Sequence, residues 1–215
     1  MELRLFPLAG VVLFPGMPLS LQVFEDRYRA LVAECLDERA PFGVVLIREG
    51  AEVGGPAVPH SIGTTARITS VIPGPDGMLH LSARGERRFR ILALHDDRAY
   101  LRAEVEFPVD EGIAMPPTLI EQAREGLRQW QRLHATAEGG YARYPATPEA
   151  PGPLADGIAA LVAAEPDELQ PLLGMLDVRR RLEAVLPLLE RAIAAQHGIA
   201  SAVAAVRWSG LGAAN

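Results

Sequence analysis

The sequence predicts an α+β fold, in which a strand-rich N-terminal region is followed by a helical region. Up to about residue 107, short apolar runs of strand character alternate with turn-forming Pro, Gly and Asp residues. One amphipathic segment interrupts these runs near residues 25–38. Beyond a proline-rich seam at residues 108–117, apolar residues recur with helical spacing. The 215 residues are enough for one large domain or two modest ones.

The N-terminal region reads as a small β-barrel or a tightly bent sheet. Leu3 and Leu5 alternate with charged neighbours, and residues 44–47 form a short apolar run. Turn signals at 73–77 and 95–97 separate the later strand candidates. These candidates are residues 64–72, 78–83, 87–94 and 100–107.

One helix is predicted within this region, at about residues 25–38. Five apolar residues fall at helical spacing and predict a single stripe that packs against the sheet. They are Tyr28, Leu31, Val32, Cys35 and Leu36. Because Cys35 lies on this stripe, we interpret it as a buried structural thiol rather than a nucleophile.

The helical region is predicted to begin with a capping box from Thr118 to Glu121, which opens a helix to about His134. Its buried side carries Ile120, Ala123, Leu127 and Trp130. Predicted domain limits are therefore 1–112 for the strand-rich domain, 113–198 for the helical domain and 199–215 for a tail that frays.

Three further helices are predicted after residue 153. Asp156 caps a helix that ends before Pro166, and a short helix follows to about Leu173. Asp177 begins a longer helix that ends at Gly198 and that Pro187 should kink.

The composition excludes several kinds of chemistry. All 21 basic residues are arginine, so the chain has no lysine. A P-loop, a Ser-Lys dyad and a Schiff base each need a primary amine and are excluded. With a formal net charge of −6 and an acidic excess in both halves, the chain should not attract nucleic acid generically.

The sequence also bears on the compartment. No apolar run is long enough to span a bilayer, and the N-terminus lacks the apolar stretch of a signal peptide. The single cysteine fits a reducing compartment. We therefore expect a cytoplasmic protein without a membrane partner.

No catalytic constellation is evident. The five histidines lack metal-ligand spacing, and no nucleotide-binding loop or nucleophile elbow occurs. The segment His95-Asp96-Asp97 is interpreted as a solvated turn between strands. We therefore predict a non-enzyme with no catalytic residue, no metal and no cofactor.

Two surface candidates remain. At Phe14-Pro15-Gly16-Met17, an apolar run breaks at a sharp Pro-Gly turn. Phe14 and Met17 either pack into the core or form an exposed apolar patch. The second candidate is a basic cluster on a strand. Its arginines either contact RNA or form cross-strand salt bridges to Glu104 and Glu106. It consists of Arg84, Arg87, Arg88 and Arg90.

An ordered set of segments resembles the Lon N-terminal, substrate-binding domain family over residues 1–107, and the helical region to about residue 193 resembles the bundle that follows in that family. The segments are Phe6-Pro7-Leu8, Val11-Val12-Leu13-Phe14-Pro15-Gly16, Val23-Phe24-Glu25-Asp26-Arg27-Tyr28, Pro41-Phe42-Gly43-Val44-Val45-Leu46, Gly63-Thr64 and Arg84-Gly85-Glu86-Arg87-Arg88-Phe89. The resemblance implies a PUA-like β pseudo-barrel with one inserted helix, followed by a C-terminal α-helical bundle.

The resemblance implies recognition of protein segments for degradation or quality control. The family's ATPase and Ser-Lys protease modules are not expected here, so catalysis should come from a separate protease or chaperone partner. Unfolded or exposed apolar protein segments are the expected clients, bound in a shallow groove. Its predicted residues are Phe14, Pro15, Met17, Phe24, Arg27 and Tyr28. The alternative is an RNA-binding protein with a PUA-like fold, which would use the four clustered arginines.

Overall fold

A computed structural model describes residues 1–51, 57–112, 114–137, 144 and 146–211. Within this part of the chain it contains seven strands and five α-helices, which confirms the α+β class. Contacts divide the chain into two compact units. The first comprises Met1–Glu111 and Glu165–Leu176, and the second comprises Gly112–Ala164 and Asp177–Asn215.

The seven strands lie in the first unit. They are β1 (Glu2–Leu8), β2 (Pro18–Val23), β3 (Phe42–Gly50), β4 (Ala57–Pro59), β5 (Ile62–Pro73), β6 (Leu79–His95) and β7 (Arg102–Glu106). Neighbours run β1-β7-β6-β5-β3, and a parallel pairing of β1 with β3 closes these five into a ring. The other pairings are antiparallel, with β2 on β6 and β4 on β3.

A single 17-residue strand, β6, replaces the two predicted at 78–83 and 87–94. The prediction of a break was wrong because Gly85 continues the strand instead of turning it. A Cβ at this position would lie 2.4 Å from the carbonyl oxygen of Phe14. Glycine is therefore needed for close approach of another backbone segment.

The predicted inserted helix is confirmed as α1 (Asp26–Asp37). Four of the five predicted stripe residues are buried, but Leu36 is 46% exposed, so its assignment was wrong. Leu36 follows Cys35 by one position, which rotates it about 100° around the helix and past the edge of the stripe. Cys35 is 1% exposed. Burial raises its pKa to about 11, so the thiol stays protonated, as a structural role requires.

A further helix, α4 (Pro166–Gly174), belongs to the first unit by its contacts. This differs from the predicted domain limits, which place these residues in the helical domain. The side-chain amide of Gln170 donates to the carbonyl of Ile62 at 3.0 Å. The buried guanidinium of Arg88 donates from Nε to the carbonyl of Leu173 at 2.9 Å. These bonds attach α4 to β5 and β6.

The second unit contains α2 (Pro117–Ala137), α3 (Pro151–Leu161) and α5 (Val178–Leu211). Of the predicted buried side of α2, Ala123, Leu127 and Trp130 are buried. A Cβ at Gly126 would lie 2.8 Å from Cδ2 of Leu189, so α2 and α5 pack closely there. None of the helices in the described residues combines the length and apolar character that crossing a membrane requires.

Two predicted caps were wrong. Helix α2 begins at Pro117, so Thr118 lies within its first turn; proline favours this first helical position because its φ is already helical. Asp156 lies inside α3 and is buried, where Nε of Arg181 is 3.2 Å from its carboxylate. A buried ion pair, and not a cap, therefore explains Asp156.

The cap predicted at Asp177 is confirmed. The backbone N–H of Arg180 donates to Oδ1 of Asp177 at 3.0 Å. Helix α5 nevertheless continues past Gly198 to Leu211, so the predicted end was wrong. The alanine-rich sequence after Gly198 favours helix, which outweighs the single glycine. The last four residues of the predicted tail, 212–215, lie outside the described part of the chain.

Candidate functional site

The predicted turn at residues 14–17 is confirmed. The N–H of Met17 donates to the carbonyl of Phe14 at 3.1 Å, and Gly16 has φ +81°. A proline followed by a residue with positive φ is the arrangement of a type II turn. Two backbone hydrogen bonds with Gly85 then hold the turn on β6. The N–H of Gly16 donates to the carbonyl of Gly85 at 2.8 Å, and the N–H of Gly85 donates to the carbonyl of Met17 at 2.9 Å.

The turn does not present an apolar patch. Phe14 is fully buried, and Met17 is half-buried against the larger core cluster. Pro15 is half-buried as well. Core packing is therefore the correct alternative for Phe14, and a client could not contact its ring in this conformation.

The start of α1 is more open. Phe24 precedes the helix and is 54% exposed, whereas Tyr28 is buried and stacks on Phe6 with ring centroids 4.1 Å apart. The guanidinium of Arg27 lies 4.5 Å from the centroid of the Tyr28 ring. Its Nε is 3.0 Å from the carboxylate of Glu25. The exposed ring of Phe24 thus stands beside a locally neutral ion pair.

The two halves of the predicted site are not together. The turn precedes the first residue of β2, and Phe24 follows the last. Six strand residues at about 3.3 Å each separate the two by roughly 20 Å. The structure therefore does not form the single groove that the sequence analysis placed beside both.

Two concave regions border the start of α1. A groove of about 580 Å³ is lined by Pro7, Arg27, Tyr28, Ala57, Leu94, Asp96, Arg98, Ala99, Tyr100 and Leu101. A cleft of about 150 Å³ is lined by Phe6, Leu8, Ser20, Leu21, Gln22, Val23, Phe24, Glu25 and Tyr28. Tyr28 borders both, Arg27 borders the groove, and Phe24 borders the cleft.

Sequence reasoning missed most of the groove, because Arg27 and Tyr28 are the only predicted site residues among the ten that line it. Asp96 is exposed, which confirms the solvated turn at 95–97, but it also lies at the groove. Leu94 lines the groove and is 44% exposed. The missed signal is that Leu94, near the end of a strand, is a large apolar residue directly before a charged turn.

A polar network fixes one wall of the groove. The hydroxyl of Tyr100 donates to the Glu34 carboxylate, which also lies 3.0 Å from Nε of Arg4. Hydrogen bonds from Tyr100 and Arg4 hold the pKa of Glu34 below its ordinary value. The Tyr100 side chain is therefore held in one position at the groove.

The clustered arginines do not form a continuous free basic surface. Arg88 is buried against α4, and Arg90 makes the predicted cross-strand salt bridge to Glu106 at 2.7 Å. Arg84 donates to the carbonyl of Gly16 at 2.7 Å. The guanidinium of Arg87 lies over the ring of Phe107, 4.3 Å from its centroid. These contacts weigh against the RNA alternative.

Within the described ranges, no group of three or more His, Cys, Asp or Glu side chains is placed to hold a metal ion.

The chain is similar to known Lon proteins. Residues 2–191 match the family model of the ATP-dependent protease La (LON) substrate-binding domain. A Lon protease of Paraburkholderia phytofirmans is 34% identical over 190 residues, which are 86% of this chain and 23% of that protein. A Lon protease of Roseiflexus castenholzii is 32% identical over 191 residues, 88% of this chain and 24% of that protein. The chain thus spans about a quarter of the length of these curated relatives.

Two solved structures share its fold. A Lon N-terminal domain protein from Xanthomonas campestris has a TM-score of 0.67 at 31% identity, over 87% of this chain and 98% of that one. The N-terminal domain of a Mycobacterium avium complex Lon protease has the same TM-score of 0.67 at 20% identity, over 88% and 98%, and shows the fold alone. Since the family model covers nearly the whole chain, the resemblance seen in the sequence is confirmed, and the chain belongs to the LON substrate-binding domain family.

Proposed function

We propose that this chain is a non-catalytic module that binds apolar segments of unfolded polypeptides in protein quality control or degradation. One observation carries the proposal. Phe24 is exposed beside the cleft, directly before the helix whose Arg27 and Tyr28 border the groove. The family description as a substrate-binding domain supports the same function.

The chemistry of this surface suits a tolerant binder. Phe24 and Leu94 offer separate apolar contacts, and removing apolar area from water is favourable by about 25 cal/mol per Å² before the free-energy cost of association is subtracted. The groove is lined by charged residues such as Asp96 and Arg98 as well as apolar ones, so its lining does not select one kind of side chain. Weak binding of many apolar segments is therefore expected.

We also infer that the closed ring of β1, β7, β6, β5 and β3 corresponds to a PUA-like pseudo-barrel; the parallel β1–β3 pairing supports this. Because the 215 residues contain no lysine, Ser-Lys chemistry is not available within them. Any proteolysis of a bound client would thus need residues outside these 215, and we propose that a protease partner supplies them in the cytoplasm, with or without a chaperone.

The direct test is a titration of a permanently unfolded, reduced and alkylated protein against the wild type and Phe24→Asp. In Phe24→Asp, a carboxylate that the bound client would bury replaces the apolar contact of the phenylalanine ring. The affinity of this variant for the unfolded protein should therefore fall about tenfold, which corresponds to about 1.4 kcal/mol. Isothermal titration or fluorescence anisotropy measures the change. Leu94→Asp should weaken binding in the same direction, because Leu94 lines the groove.

Val109→Asp is the matched control. Val109 is apolar and 76% exposed, and it follows the end of β7 that is distant from the groove residue Leu101. It should bind like the wild type. Met17→Asp is a poorer test, because half-buried Met17 packs against the core and the charge would also destabilise the fold. Equal affinities of the wild type, Phe24→Asp and Leu94→Asp would contradict the proposed site.

A further inference from the structure

Strand β2 has a free edge. It pairs with β6 over all six of its residues and with no other strand in the described part of the chain. The other strand that is paired on one side, β4, has only three residues and includes Pro59. Short length and proline are common ways of preventing a sheet edge from pairing with another chain. Of the strands in the described residues that pair on one side only along their whole length, β2 is therefore the one with the longer edge.

The backbone groups that face outward follow from the register. The N–H of Gly85 donates to the carbonyl of Met17, which makes these two a hydrogen-bonded pair. In an antiparallel ladder such pairs alternate with non-bonded ones. Counting from Met17, Ser20 and Gln22 fall at non-bonded positions, opposite residues 82 and 80. Their N–H and C=O groups consequently point away from β6.

The sequence of this edge contains nothing that opposes pairing. After Pro18, residues 19–23 read Leu-Ser-Leu-Gln-Val, with neither a charged residue nor a proline. Both Ser20 and Gln22 are exposed. Natural edge strands usually carry lysine, proline or a bulge where they could join a neighbour. Here the turn at Gly16 and Pro18 block only the first residues of the strand.

The cleft of about 150 Å³ lies along the same edge. It is lined by residues 20–24 and by Phe6, Leu8 and Tyr28 from β1 and α1, with Glu25 as its one charged residue. Side chains of an added strand alternate between the two faces of the sheet. One set would enter the cleft, and the other would lie beside the exposed ring of Phe24.

We propose that the free edge of β2 binds an extended, uncharged apolar peptide segment by strand addition, with hydrogen bonds to the backbone of Ser20 and Gln22. The proposal rests on the proposed function and names how that same site holds its client. Backbone hydrogen bonds are the same for every sequence, whereas the cleft selects apolar side chains. Strand addition therefore accounts for recognition of many clients without a specific pocket.

The test uses the whole chain and a ten-residue peptide of alternating valine and serine with blocked ends. Gln22→Pro removes the outward N–H, and it breaks no bond to β6 because Gln22 is at a non-bonded position. Gln22→Ala is the matched control, since it removes the same side chain and keeps the N–H. Gln22→Pro should bind the peptide about tenfold more weakly than Gln22→Ala.

A second measurement does not depend on folding of the proline variant. The same peptide with N-methyl groups on four successive central residues cannot pair along either of its edges, and it should lose binding to the wild-type chain. Hydrogen exchange of the Ser20 and Gln22 amides should slow when the unmodified peptide is bound. Full binding of the methylated peptide, or unchanged exchange at both amides, would overturn strand addition.

Failure of this proposal is distinguishable from failure of the proposed function. If the unfolded protein binds and Phe24→Asp weakens it, while neither Gln22→Pro nor methylation has an effect, the function stands and strand addition is wrong. If the wild type does not bind the unfolded protein, the function itself fails. A concentration-dependent dimer in sedimentation, abolished by Gln22→Pro and accompanied by no peptide binding, would assign the edge to a second copy of this chain.

Discussion

The turn at residues 14–17 and the start of α1 at residues 24–28 look alike in the sequence but differ in the structure. Each places an aromatic residue at the end of a strand-like apolar run. At the turn, Phe14 is fully buried and the backbone is bonded to Gly85. At the helix, Phe24 is 54% exposed and borders a cleft. The same local pattern thus places a phenylalanine in the core at the turn and on the surface at the start of the helix.

The difference comes from what lies opposite the backbone at each aromatic residue. Gly85 has no side chain, so the turn can approach β6 closely and its phenylalanine fills the core. Opposite Phe24 there is no such partner strand, because β6 begins at Leu79, which pairs with Val23. Exposure is therefore set by strand pairing distant in sequence, and each of the following changes tests this separation.

The largest effect is expected for Phe14→Ala. Truncating a fully buried phenylalanine removes its burial and leaves a cavity, which should lower the free energy of unfolding by about 3–5 kcal/mol. Urea unfolding followed by circular dichroism measures the change. By contrast, Phe24→Ala should change the free energy of unfolding by less than about 0.5 kcal/mol, as is usual for exposed positions. Similar losses in both variants would contradict the contrast between the two regions.

A smaller effect is expected for Gly16→Ala. Because Gly16 has φ +81°, an L side chain there is strained, and the free energy of unfolding should fall by about 1 kcal/mol. Gly10→Ala is the matched control, since Gly10 is not among the glycines with positive φ and a Cβ there meets nothing within 4 Å. Thermal or urea unfolding compares the two. An equal change in both variants would show that the turn does not depend on the left-handed conformation.

The smallest effect concerns Cys35 on α1. Its folded pKa, raised by burial to about 11, exceeds its ordinary value of 9.0, so the folded state holds the proton more tightly. The resulting stability is complete below pH 9 and is lost as the pH rises toward 11. Alkylation by iodoacetamide at pH 8 should accordingly be slow in the wild type and in Phe24→Asp.

The same measurement distinguishes the two regions. Faster alkylation is expected in Phe14→Ala, because loss of core packing increases the opening of the folded state. If Phe24→Asp also alkylated rapidly, α1 would depend on Phe24 for its position. In that case a loss of binding in this variant could not be assigned to the exposed ring.

Several local patterns in the sequence predict the local structure, although the caps predicted at Thr118 and Asp156 were wrong. The apolar spacing in α1, the Pro-Gly turn and the cap at Asp177 each depend on residues within one or two turns of the chain, and all three are confirmed. The fold family followed from a set of such local segments in the right order.

The site could be predicted only in part, because it is assembled from distant segments. Leu94 and Tyr100 line the same groove as Tyr28, although each is separated from it by more than 60 residues in the sequence. The free edge of β2 depends on which strands pair, and no residue within β2 indicates that. Asp156 was misread for a similar reason, since its partner Arg181 belongs to another helix.

Helix α4 has a consequence for how the protein is made. Residues 165–176 return to the first unit after the chain has already entered the second, so the order of synthesis is not the order of completion. While the ribosome is still adding α2 and α3, the carbonyl of Leu173 that accepts from buried Arg88 does not yet exist. The strand-rich unit must therefore wait for more than fifty further residues beyond its own last strand, and until then Nε of Arg88 must donate to water or to another acceptor.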